Sequence, residues 1–370
     1  RTLTARAVAT AVRAAADGAR ADRGRADGAP VDAGAPAGDA TGPRADPAGV
    51  TLFLSPAAIA NVVVTADDLE PEDRDALAGV RTFLSAGAPV PARLMERTAR
   101  LMPHATAHTP YGMTEGLLLT DITLDGIRAA GDGGATGGVC VGRPVTGVEV
   151  RISPLDDDGA ATGPLTTAAG VTGEVVVAAP HVRDHYDRLW LTERASRRLH
   201  PVDAPPHADA VPTDEGGPVD AARSGDSVPV RSLRWHRTGD VGRIDEDGRL
   251  WVEGRLAHVV VTADGVVTPV GPEQRAEAVP GVARAAVVGV GPRGAQQLVV
   301  VAETQPPVRR PRLAEPALAA AVRGAVGRPV AAVLAVPELP TDVRHNSKID
   351  RARLATWAEG VLAGGRVGAP

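Results

Sequence analysis

Apolar residues recur at helical intervals between residues 2 and 20, in an alanine-rich stretch that predicts an opening helix. The periodicity then stops. Residues 21–48 are mostly Gly, Pro, Asp and Ala without a repeating apolar position, which predicts a disordered insertion. From Val50 short apolar runs return: a strand over residues 51–54, a helix over 56–64 and a strand over 80–85 that enters a turn at Gly87, Ala88 and Pro89. A helix over 91–101 follows, with proline at its start. Alternating strands and helices predict an α/β layered unit.

Beyond Asp121 the pattern becomes strands between glycine-rich turns. Residues 148–152 alternate, 173–177 read as an apolar strand apart from Glu174, and 241–253 read as a hairpin about Asp245-Glu246-Asp247-Gly248. Residues 199–232 carry many Pro, Asp, Gly and Ser and predict a second flexible insertion. After Gly254 a compact α+β unit is expected, with strands at 258–262, 285–290, 297–304 and 331–336 and helices at 273–279, 316–326 and 350–362. The domain reading is therefore 1–254 and 255–370, insertions included.

Composition narrows the class. The chain has 370 residues, 44% of them hydrophobic, enough for at least one full core. No apolar run reaches the roughly 18 residues of a membrane span, so a soluble protein without an integral membrane segment is expected. The net charge of -5 is spread along the chain, which leaves no polybasic footprint for nucleic acid or lipid headgroups, so neither partner is expected. The single Cys140 excludes an intrachain disulfide framework and fits a cytoplasmic setting. The start at Arg1, with neither methionine nor a signal-peptide core, suggests a chain that begins mid-protein. Among 40 basic residues only Lys348 is lysine. A compact ammonium is not interchangeable with a planar guanidinium, so a lone lysine in an arginine-rich chain is a candidate for a specific task; a lysine in a polar loop is also ordinarily just solvated.

Three segments carry the chemistry: Tyr111-Gly112-Met113-Thr114-Glu115; Arg237-Thr238-Gly239-Asp240 with Gly254-Arg255; and Asn346-Ser347-Lys348-Ile349. Read alone, the first fits a strand-to-helix turn with a capping threonine, and the second an Asp in a turn with an Arg in a surface pair. In this order, with Gly173-Glu174-Val175 between the first two, they resemble the adenylate-forming superfamily of acyl-CoA synthetases, adenylation domains and luciferases, over nearly all of residues 50–360 outside the insertions. The resemblance implies a truncated large AMP-binding domain, of α/β layers plus a β-rich subdomain, followed by a small mobile α+β lid domain.

It also implies ATP-dependent carboxylate adenylation with release of pyrophosphate. Charge building on the transferring phosphoryl group requires positioned cations, and Glu115 would hold Mg²⁺. Thr114 would bind phosphate, Tyr111 with Gly112 would lie on adenine, and Asp240 would accept from both ribose hydroxyls, with Arg255 near ribose or phosphate. Gly87, Ala88 and Pro89 would line the adenine and acyl pocket, and Lys348 would reach the carboxylate and α-phosphate.

Some features depart from the pattern. The glycine-rich phosphate loop that precedes the first motif in the family is absent from these 370 residues, so the chain alone is expected to be inactive. A truncated fragment that only binds nucleotide or a partner is a second alternative to the enzyme reading. Leu256-Ala257-His258 stands where a hinge Asp or Lys is usual, and Ala263-Asp264-Gly265 replaces a Gly-Gly turn, which weakens the case for CoA or carrier-protein thioester formation. The terminal Arg344-His345-Asn346-Ser347-Lys348 resembles the β-lactone synthetases of bacterial long-chain olefin biosynthesis. That likeness implies a long-chain acyl or 3-hydroxyacyl carboxylate as substrate, whose own hydroxyl closes the ring by proximity, with His345 a candidate base and association with other enzymes of that pathway. A fatty acyl-CoA ligase is the alternative.

Overall fold

The computed structural model describes residues 3–26, 49–87, 90, 92–131, 133, 137–200, 234–341 and 348–370. In chain order its elements begin with α1 (Ala5–Ala26), β1 (Val50–Leu54), α2 (Pro56–Val64), α3 (Pro71–Ala78), β2 (Val80–Ser85), α4 (Ala92–Leu101), β3 (Thr106–His108), β4 (Tyr111–Met113), β5 (Gly116–Asp121) and α5 (Leu124–Ala130). Then come β6 (Val139–Pro144), β7 (Glu149–Pro154), β8 (Gly173–Ala178), α6 (Trp190–Ser196), β9 (His236–Ile244) and β10 (Leu250–Arg255). The chain ends with β11 (Val260–Thr262), β12 (Gly265–Val267), α7 (Val270–Glu277), β13 (Val282–Val290), β14 (Gln297–Thr304), β15 (Arg312–Leu313), α8 (Pro316–Val326), β16 (Val330–Val336) and α9 (Arg351–Leu362). No helix among the described residues is long and apolar enough to cross a membrane.

Contacts divide the chain into two compact units. The first holds residues up to Tyr111 together with Asp121–Gly131, and the second holds Gly112–Thr120 and the described residues from 133 onward. The boundary expected at Gly254 lies within the second unit.

In the first unit β1, β2 and β3 form a parallel sheet in that order. Ala5, Val8, Ala9 and Val12, spaced for one face of α1, join Ile59, Leu77, Phe83 and Met95 in its core. Ser55 caps α2, its hydroxyl accepting from the Ala58 amide, and Pro56 begins the helix, so the predicted start is set by local chemistry. The opening helix continues to Ala26, six residues into the stretch predicted as an insertion. The rest of both insertions, 27–48 and 201–232, lies outside the described residues.

The second unit is built on a seven-stranded sheet ordered β4-β5-β6-β10-β9-β8-β7 and a four-stranded sheet ordered β13-β14-β16-β15. The four-stranded sheet shows why its strands read as continuous apolar runs. Ala285, Val287, Leu298, Val300 and Val333 pack with α7 and α8, whereas Ala286, Val288, Val299, Val301 and Leu334 pack with Leu354 and Ala358 of α9. Both faces are covered, so period-two alternation places apolar residues at every position.

The two sheets meet through a few directed contacts. The Gln274 amide of α7 accepts from the Gly138 amide and donates to the Gly138 carbonyl, both at 2.9 Å. Glu253, 1% exposed, pairs with Arg243 at 2.6 Å and accepts from the Thr268 hydroxyl at 3.0 Å. At Gly254 the backbone takes φ +146°, and a Cβ there would stand 2.9 Å from the Pro269 ring, so the link between the sheets requires glycine.

Candidate active site

Strand β9 organises the central polar cluster. One buried carboxylate, Glu174 of β8, accepts from Arg237 Nε at 2.6 Å and from the Gly239 amide at 3.0 Å, so it grips both sides of the Thr238 position. Arg237 also donates to the Ser153 hydroxyl and the Ala161 carbonyl. Thr238 donates its hydroxyl to the Val175 carbonyl and accepts from the Asp240 amide. Gly239 takes φ +73°, a conformation costly for any residue with a Cβ. These contacts fix the backbone that presents Asp240.

The return strand completes the pair. Asp240 and Arg255 are register partners across the β9–β10 hairpin, and Arg255 Nε lies 2.9 Å from Asp240 Oδ1 while Nη1 donates to the Thr238 carbonyl at 3.3 Å. The fifteen-residue separation in sequence thus becomes a direct ion pair, with Asp240 mostly enclosed and Arg255 half-exposed.

The Tyr111–Glu115 segment differs from the strand-to-helix turn that its sequence fits on its own. It is strand, turn, strand: β4 and β5 neighbour each other in the sheet, with Thr114 and Glu115 as the connecting turn. The constraint is steric at Gly112, where a Cβ would meet the Leu117 side chain at 2.7 Å and the Gly116 carbonyl at 2.9 Å. Thr114 is exposed. The Tyr186 hydroxyl donates to Glu115 Oε1 at 2.7 Å, and the Arg183 amide donates to the Glu115 carbonyl at 2.7 Å.

A dense network backs this turn. The Arg183 guanidinium stacks 3.4 Å from the Tyr186 ring centre and reaches Glu193 at 2.5 Å and the Ser196 hydroxyl at 2.7 Å. Glu193 also pairs with Arg197 at 3.2 Å. Burial pushes the Glu115 carboxyl upward, but the Tyr186 hydroxyl, its backbone hydrogen bond and the Arg183 charge outweigh it, holding the group below its ordinary value and ionised. His236, buried at the start of β9, is driven down to about 4 by desolvation and by the neighbouring Arg183 and Arg197, and so is neutral near pH 7.

Lys348 is half-buried at the neck of its loop, where Thr341 and Ile349 form an antiparallel bridge and the Asp350 amide donates to the Pro340 carbonyl at 2.9 Å. Asp350 caps α9 by accepting from the Arg353 amide. Gly87 follows β2 with φ +101°, and it belongs with Tyr111 to the first unit, whereas Gly112, Thr114, Glu115, Asp240, Arg255 and Lys348 belong to the second. Ala88, Pro89 and His345 lie outside the described residues.

Sequence reasoning passed over Arg183, Tyr186 and His236, and it took Glu174 only as part of a strand. The signals were present: a carboxylate inside an otherwise apolar strand, and one of only two tyrosines in the chain. What was missing is the sheet order that sets β8 beside β9.

The AMP-binding enzyme family matches residues 46–186. The chain is 38% identical over 321 residues to the olefin β-lactone synthetase of Xanthomonas campestris pv. campestris, covering 84% of this chain and 51% of that protein. It is 37% identical over 295 residues to the olefin β-lactone synthetase of Stenotrophomonas maltophilia, covering 76% and 48%. The fold matches an ATP-bound RpMatB-BxBclM chimera with a TM-score of 0.59 at 21% identity, over 84% of this chain and 51% of that one. The chain spans about half the length of the curated relatives it matches. Its motifs and these likenesses in sequence support the adenylate-forming, AMP-binding superfamily for this chain, close to the olefin β-lactone synthetases, while the solved structure shares its fold.

Proposed function

We propose that the protein carrying this chain activates a fatty or 3-hydroxy fatty acid with ATP, releasing pyrophosphate, and closes the resulting 3-hydroxyacyl-adenylate to a β-lactone with loss of AMP. The carrying observation is the Asp240–Arg255 pair at 2.9 Å, beside a stretch of β9 locked by Glu174, in a chain 38% identical to an olefin β-lactone synthetase. A carboxylate fixed in this way suits two ribose hydroxyl donors, and the half-exposed Arg255 suits a phosphate oxygen.

The other assignments follow the same logic. Tyr111 and Gly112 take the adenine, with Gly87, Ala88 and Pro89 lining its pocket and the acyl site. Thr114, exposed in its turn, offers a hydroxyl to phosphate. Among the described residues no group of three or more His, Cys, Asp and Glu could cage a metal. That suits Mg²⁺, which binds through one or two carboxylates with substrate phosphates, and the ionised Glu115 is the carboxylate we assign to it. The ion would neutralise charge on the phosphates. Lys348 holds the attacking carboxylate against the α-phosphate, and residues 255–370 act as the domain that carries it.

In the second step the substrate's 3-hydroxyl oxygen attacks the acyl carbon, the bond to AMP breaks, and His345 accepts the hydroxyl proton. No CoA is consumed, and the setting is cytoplasmic. Mass spectrometry of products from the complete protein, supplied with ATP, Mg²⁺ and a long-chain 3-hydroxy acid, tests the reading. A β-lactone and AMP are expected; a hydroxyacyl thioester formed only when CoA is added, without lactone, would instead make the protein an acyl-CoA ligase.

A further inference from the structure

Leu189, Trp190 and Leu191 stand together at the start of α6, exposed to 58%, 67% and 63%. Three consecutive large apolar side chains in water form an unusual surface, since scattered single residues are the norm and contiguous patches mark interaction sites. The cause is visible in the helix. Glu193 and Ser196 turn inward to hold Arg183, so α6 is pinned by its polar side and its apolar residues face out.

The charge around the patch is one-sided. Asp187 is matched by Arg188 at 3.3 Å, and Asp184 by Arg234 at 3.9 Å. Exposed Arg194, one helical turn after Trp190, and exposed Arg198, just beyond the end of α6, then leave surplus positive charge in the same segment as the apolar residues. Residues 201–233 contain one leucine, five valines and no aromatic residue, a composition that offers little apolar counterface.

We propose that Leu189, Trp190 and Leu191, with Arg194 and Arg198, dock this protein on an anionic lipid surface. Tryptophan and leucine enter the headgroup boundary while arginine stays with the phosphates, a combination typical of interfacial rather than spanning segments. Such docking would bring the protein to the phase into which long-chain acids partition. It does not depend on the adenylation reading, because binding is measured without turnover.

The experiment is co-sedimentation of the purified protein with vesicles of phosphatidylcholine alone or mixed equally with phosphatidylglycerol, at low and high salt. Wild type is expected to partition at least about tenfold better onto the anionic vesicles, with a blue shift in tryptophan emission that W190F removes. R194E/R198E should lose the preference for anionic lipid, and L189S/W190S/L191S should stay in the supernatant. All five positions face solvent, and circular dichroism checks that the variants keep the fold. Wild type remaining in the supernatant, or a triple variant that sediments like wild type, would overturn the proposal. So would a lipid-free dimer that the triple variant dissolves, because the patch would then be covered by a second copy.

Discussion

Arg255 Nε sits 2.9 Å from Asp240 Oδ1, and the two residues are direct partners in the β9–β10 ladder. Their contact is set by backbone register rather than by side-chain reach. Removing one partner should therefore leave the other in place. In the complete protein, Asp240→Ala is expected to raise KM for ATP and to lower kcat/KM by about 10²-fold or more, through loss of charge-assisted hydrogen bonds. Arg255→Ala should cost less in ground-state nucleotide affinity. Fluorescent nucleotide titration and pyrophosphate release measure both, and wild-type affinity in Asp240→Ala would remove Asp240 from the site.

Glu174 makes a separate prediction, because it acts through Asp240. Glu174→Gln keeps the shape but weakens the grip on Arg237 and on the Gly239 amide. We expect reduced nucleotide affinity together with stability loss on the order of 3 kcal/mol, since Arg237 is then left mostly buried without its countercharge. Urea unfolding alongside nucleotide titration separates the two effects.

Stability should depend on pH through His236. Its folded-state value is depressed from 6.5 to about 4, so the unfolded chain binds the proton more readily. The stability gained by keeping the imidazole neutral is whole above about pH 6.5 and is lost as pH falls toward about 4. The full loss is up to about 3 kcal/mol by linkage. Unfolding free energies measured between pH 7 and 4.5 should fall less steeply in His236→Asn than in wild type. Parallel slopes would show that His236 is not the group responsible.

Lys348→Arg keeps the charge and changes its shape. If Lys348 holds the reacting carboxylate and α-phosphate together, adenylation in the complete protein should drop by about 10³-fold with nucleotide binding retained. Near-normal pyrophosphate release would overturn the role.

The Arg243–Glu253 pair tests the interior of the seven-stranded sheet, where Glu253 also meets Thr268. Glu253→Ala strands a guanidinium that otherwise also donates to the Gly137 and Gly133 carbonyls, and should destabilise the second unit by about 3–5 kcal/mol. Chemical denaturation reads this directly. A loss within about 0.5 kcal/mol would mean that solvent reaches the pair.

Much of the fold was legible because local chemistry set the element limits. Ser55 and Pro56 fix where α2 starts, Pro316 starts α8, and Asp350 caps α9, so these helices fall where their sequences place them. Strands β2 and β14 read correctly because their apolar runs end at turn residues. The helix α3 has a start signal of the same kind, Pro71 with a Glu70–Asp73 capping box. It buries only Asp73 and Leu77, however, and so shows no apolar periodicity, and β3 and β4 are only three residues each.

By itself the sequence determined the superfamily, the order of the motifs and the lone Lys348, because these depend on residue type and spacing along the chain. It also fixed Asp240 and Arg255 as candidates. Only the tertiary structure decided that those two form an ion pair, that Glu174 locks the stretch of β9 just before Asp240, and that Tyr186, Arg183 and His236 surround Glu115. The physical reason is strand order. Placing β8 between β7 and β9, and β9 beside β10, brings together side chains as many as 84 positions apart, and no local periodicity encodes that neighbourhood.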